Sequence, residues 1–144
     1  MATPDELLVA LKVGREALGR AIEAAGSNWE TAPSSDEGEE AWSARQTAEH
    51  VISTELYFAG ETCKACGYDP PESPFPAALQ LATAADGSAA LDLAVEAADS
   101  KQKYVSVEDL TKTHEGMGTV EEVMTIQVWH LINHAMQIRA AASS

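Results

Sequence analysis

The sequence predicts an all-α chain folded as a four-helix bundle with a long crossover connection. Four segments carry apolar residues at three- and four-residue spacing, three of them open on recognisable N-cap signatures, and no stretch reads as a convincing strand. The chain of 144 residues fits a single domain spanning residues 1–144.

The first helix opens on TPDE, with Thr3 as N-cap, Pro4 in the first turn and Glu6 closing a capping box. Leu7, Leu8, Leu11, Leu18 and Ile22 follow at helical spacing, and Gly26 can end it. The acidic stretch Ser27 to Glu40 reads as a long, mobile connection, with Trp29 tucked back onto the bundle. WSARQ announces the second helix, capped by Ser43 and Gln46 and running from Ala44 to about Cys66, where Gly67 stops it. The prolines of Asp69 to Pro76 make a stiff crossing segment. A third helix is expected from near Ser88, with a stripe of Leu91, Ala94, Val95 and Ala98, fading around Tyr104. VSVEDLTKTHEGMG reads as a loop, in which His114 is solvent-exposed and without a role. Thr119 and Glu122 then cap a fourth helix that continues to about Ala142.

Hydrophobic residues make up 45% of the chain and aromatics 6%, so the core is expected to be built from Leu, Val, Ile and Ala. Lys and Arg number 9 against 23 Asp and Glu, for a formal net charge of −14. That surface repels phosphate backbones and anionic headgroups, which argues against nucleic-acid and membrane partners. No run approaches the ~18 apolar residues of a membrane span, and the N-terminus lacks the pattern of a signal peptide. The expected location is the cytoplasm, with both cysteines reduced.

WHLINHAMQI places His130 and His134 four residues apart. On a helix they differ by ~40° and lie ~6 Å apart along the axis, so both can reach one ion. Val123, Ile126, Gln127, Gln137 and Ile138 share their face, which points that stripe into the bundle. Two histidines buried together need partners for their ring nitrogens, and a metal supplies one for each. The spacing alone fits a structural or surface pair as readily as a ligand pair. LIN between them lacks the glutamate of the HExxH metalloproteases. His50 lies two turns into the second helix and shares a face with Ser53, Thr54, Tyr57 and Glu61. Amphipathicity fits it either to a solvent stripe or to a polar pocket inside the bundle.

Trp42-Ser43 entering a helix, His50 eight residues later, and His130-x-x-x-His134 followed by Gln137-Ile138 resemble the DinB/YfiT-like superfamily over nearly the whole chain. The resemblance implies up-down-down-up topology, a divalent metal (zinc or nickel) held by His50, His130 and His134, and a homodimer. It also implies relatives that are thiol S-transferases using bacillithiol or related low-molecular-weight thiols. Asn133 stands where many relatives carry a second adjacent histidine, and Met136 where many carry glycine.

Three imidazoles leave a fourth position for water or substrate, the pattern of catalytic rather than structural zinc. A metal there can lower the pKa of a thiol or water and orient it for attack. The expected function is therefore a metal-dependent thiol S-transferase acting on a small thiol and an electrophile, against a non-catalytic metal-binding stress or interaction protein. Tyr57 and Gln137 are cleft candidates: Tyr57 to donate a hydrogen bond or to pack at the rim, Gln137 to orient a ligand or to bridge helices. Cys63-Lys64-Ala65-Cys66 falls at a helix C-terminus, where the dipole opposes a thiolate. Cys63 lies ~20 Å along the helix from His50 and is turned ~140° away, so it cannot join the same metal. The pair reads as structural thiols, with reversible oxidation and a separate metal site as alternatives.

Overall fold

The computed structural model describes residues 2–34 and 37–144, without the side chain of His114. Ser35 and Asp36 of the acidic connection, and the reading of His114 as exposed, thus lie outside the described residues and side chains. Four long helices make up the bundle: α1 (Pro4–Ala25), α2 (Ala44–Cys66), α3 (Ala84–Gln102) and α4 (Val120–Ala142).

Chain contacts at the helix ends set the directions. The amides of Ala44 and Arg45 donate to the carbonyls of Thr31 and Trp29, so α2 starts beside the C-terminal end of α1 and runs antiparallel to it. The amide of Leu81, just before α3, donates to Glu49 near the start of α2 (2.7 Å), so α3 runs parallel to α2. The amide of Ala2 donates to Glu121, placing the first turns of α1 and α4 together. The order is up-down-down-up, as expected, and residues 67–83 cross the length of the bundle between the two parallel helices. Around the bundle α1 packs on α4, α4 on α2, α2 on α3, and α3 more loosely on α1.

The core is aliphatic: Leu11, Leu18, Ile22, Ile52, Met124, Leu131 and Ile138 are fully buried, with small Ala44, Ala48, Ala59 and Ala94 between them. Trp29 is buried against it, and its Nε1–H donates to the Leu81 carbonyl (2.8 Å).

The helix starts differ from expectation in three respects. Thr3 and Thr119 accept from the amides of Glu6 and Glu122, but both glutamates take their own threonine's hydroxyl rather than the N-cap amide. Full capping boxes form in α2 (Ser43 and Gln46) and in α3. The third helix begins at Ala84, about a turn earlier than Ser88, because Thr83 and Asp86 cap it reciprocally; aspartate reaches the N-cap amide as glutamate does. It ends at Gln102, short of Tyr104. The loop before α4 also holds a 3-10 turn (Glu108–Thr111) and a two-residue antiparallel pairing of Thr113–His114 with Gly118–Thr119. Gly116 and Gly118, at φ 86° and 87°, let so short a hairpin close.

Two helical glycines have opposite expected responses to alanine. At Gly60 a Cβ meets nothing within 4 Å, so Gly60→Ala should stabilise by about 0.5–1 kcal/mol. At Gly87 the Cβ would come to 2.8 Å from Cη2 of the anchored Trp29 ring. Gly87→Ala should therefore destabilise, overpacking costing about 1–3 kcal/mol. Urea melts of the two variants check the pair of signs.

Candidate metal centre

The site lies between α2 and α4. His50 is on the second turn of α2, and His130 and His134 are on consecutive turns of α4. The direction of α2, down from the top of the bundle, brings its early turns level with the later turns of the rising α4. Amphipathicity left His50 open; the structure turns it toward α4, half-buried beside the pair. His134 is buried. Of the apolar residues expected on that face, Val123 and Ile138 are buried, whereas Ile126 is exposed.

The three rings converge through their Nε2 atoms. His50 Nε2 is 3.3 Å from His130 Nε2, and His134 Nε2 is 3.0 Å from His130 Nε2. Three nitrogens bound tetrahedrally to zinc at ~2.0–2.1 Å stand ~3.3–3.4 Å apart, so the spacing is close to that of a bound set. Each residue offers one ligand atom, and these atoms all lie within 4.8 Å of one another.

The outer nitrogens fix which protons are where. Gln137 donates its amide to the Glu39 carbonyl, which turns its Oε1 toward His134 Nδ1 at 2.7 Å. His134 must then carry its proton on Nδ1 and present a lone pair at Nε2. Thr54 donates its hydroxyl to the Val51 carbonyl (3.0 Å), so its oxygen accepts from His130 Nδ1 at 3.4 Å. His130 likewise presents a lone pair at Nε2. Two lone pairs thus face each other at 3.0 Å with a third nitrogen beside them. A proton on one nitrogen bridges a single pair, whereas one divalent ion accepts all three. The residues fit a metal, and the hydrogen bonds from Nδ1 are the supports that metal-binding histidines use.

Aromatic rings wall the cluster. Trp42 stands edge-on to His50 (centroids 5.2 Å apart) and Phe58 edge-on to His130 (5.3 Å). Burial holds the pKa of His130 down to about 4, aided by repulsion from His134 and His50. His50 is also lowered, first by burial and then by His134, against a small opposing pull from Glu39. Neutral rings with free lone pairs are the ligand form.

The cleft candidates separate. Gln137 bridges His134 to the backbone of the 3-10 turn Gly38–Ala41 and so joins the site. Tyr57 is 52% exposed; its ring packs on Phe58 and its hydroxyl lies 4.0 Å from Met117 Sδ, at the rim. Cys63 and Cys66 are free and buried, and burial raises both thiols, Cys66 to about 11. Sequence reasoning missed the Glu39 carbonyl, a backbone atom in an unpatterned acidic stretch. Thr54 was legible only as a neighbour of His50 on its face. No family model, curated protein or solved structure matches this chain, and among the described residues no helix is long and apolar enough to cross a membrane.

Gln137→Ala should lower metal affinity by about 10–100-fold, because His134 loses the acceptor that fixes its tautomer. Competition titration against a chelating dye measures it; an unchanged affinity would remove Gln137 from the site.

Proposed function

We propose that the chain is a DinB/YfiT-like protein that holds zinc or nickel on His50, His130 and His134 and transfers a low-molecular-weight thiol to an electrophile. The supporting observation is the convergence of three Nε2 atoms, with Thr54 and Gln137 placed at the Nδ1 atoms of His130 and His134. A divalent ion held by His50, His130 and His134 would supply a Lewis acid able to lower the pKa of a thiol. The protein's own groups do the rest. Gln137 and Thr54 hold the two α4 rings in the ligating tautomer. Trp42 and Phe58 keep water from one side of the cluster. The thiol proton leaves to solvent, the sulfur lone pair forms the new bond to carbon, and the leaving group departs with its bonding electrons.

The test has two stages. Purified protein should hold one zinc or nickel per chain, and His50→Ala should lose it. The loaded protein should then consume thiol and electrophile together, in a chelator-sensitive way. Bound metal without consumption would sink the transferase and favour a non-catalytic metal protein; absent metal would sink the centre itself.

A further inference from the structure

The seam between α1 and α3 is the loosest side of the bundle, and an open groove of about 690 Å³ runs along it. Its cause is visible in the sequence. The buried face of α3 is mostly Gly87, Ala90, Ala94 and Ala98, small residues that let it sit close to α2. Along the groove its apolar residues are Leu91 and Val95, and those of α1 are Leu8 and Val9. Leu91 is buried, Leu8 and Val95 are partly exposed and Val9 is 61% exposed, so the floor is apolar and opens to solvent at Val9.

The rim is acidic. Glu16 on α1 and Asp92, Glu96 and Asp99 on α3 line it, all exposed. Two basic residues also line it, but the Arg15 guanidinium is committed inward to Glu55 at 2.8 Å, which leaves Lys12. The run from Leu91 to Asp99 rises ~12 Å, the length of two helical turns.

An apolar floor of this length with an acidic rim matches an amphipathic helix whose apolar stripe is flanked by Lys or Arg. The geometry points to this groove as a docking site for a basic amphipathic helix of a partner protein. A second copy fits it poorly: in a two-fold contact the same patch meets itself, setting acidic rim on acidic rim in a chain of net charge −14. The site is separate from the histidine cluster, which lies between α2 and α4.

The test uses the full chain and a labelled helical peptide of Leu and Lys with leucines at i, i+3, i+4 and i+7. Controls are a scrambled peptide and a Leu/Glu version. Two double variants carry the same net charge: Asp92→Lys with Glu96→Lys on the rim, and Glu72→Lys with Glu108→Lys on exposed positions elsewhere. Fluorescence anisotropy should show 1:1 binding of the Leu/Lys peptide, weakened at least about tenfold by the rim variant and little by the other. Equal weakening by both variants, or equal binding of the scrambled or Leu/Glu peptide, would overturn the proposal. A dimer in sedimentation that Val95→Asp dissociates would overturn it too, by assigning the groove to a second copy. Because all four reversed residues are exposed, folding is expected to survive, and circular dichroism checks it.

Discussion

Glu55→Ala should cost about 3–5 kcal/mol of folding stability, because it strands a buried guanidinium. Glu55 is 2% exposed and sits at the centre of a closed polar network. Arg15 Nε donates to it at 2.8 Å and Gln127 Nε2 at 3.1 Å. Arg15 also donates to Gln102, which donates in turn to Gln127 at 2.7 Å. All four helices contribute one residue, and every link lies inside the core. Removing the carboxylate leaves Arg15 charged and the Gln127 amide short of an acceptor, and a marginal fold of ~5–15 kcal/mol cannot ignore that loss. The double variant Arg15→Met with Glu55→Met should recover most of it, since Gln102 and Gln127 still satisfy each other and two thioether chains fill the space. Urea unfolding of the double variant, of Arg15→Met and of Glu55→Met closes the cycle, with Glu55→Ala measured beside them. A Glu55→Ala loss below about 1 kcal/mol would mean that water reaches the network.

The second large effect is stabilisation by metal. Zinc or nickel at about 100 times its dissociation constant should add about 2.7 kcal/mol, read as a rise in Tm. His134→Ala should abolish that rise. The effect is pH-dependent in a defined direction. Burial holds His130 near 4 and lowers His50 in the fold, while the unfolded chain takes up those protons near 6.5. The metal-free protein should therefore keep its full stability above about pH 6.5 and lose it progressively as the pH falls toward 4. Metal should resist the first part of that loss and then be displaced by protons. Tm measured from pH 8 to 4, with and without metal, reads both trends; a metal-free Tm that rises on acidification would contradict the neutral-ring assignment.

Helix number, order and most boundaries could be read from the chain because they depend on local chemistry. Ser43 with Gln46, Gly67 after Cys66, and Thr119 before α4 act within a turn of where they stand. The start of α3 was misjudged for an equally local reason: the Thr83–Asp86 cap lies among alanines and just before Gly87, which blurs the apolar period. The histidines were legible as a cluster through the family resemblance, but not through helical periodicity. Whether His50 faces water or α4 depends on which helix packs beside α2, and no periodicity within α2 records that. The four-residue polar network was not legible at all. Gln127 was legible on the inward stripe of the fourth helix, but Arg15, Glu55 and Gln102 each resemble an ordinary surface residue until all four helices are assembled.

His50 and His130 touch across 80 residues of chain. During synthesis His50 leaves the ribosome long before α4, which carries His130 and His134. Loop closure over that span must precede assembly of the three-histidine set. Until α4 has been made, His50 is the one member of the triad that the growing chain carries. Capture of the proposed metal would then belong to the end of maturation, and a loaded centre would certify a finished bundle.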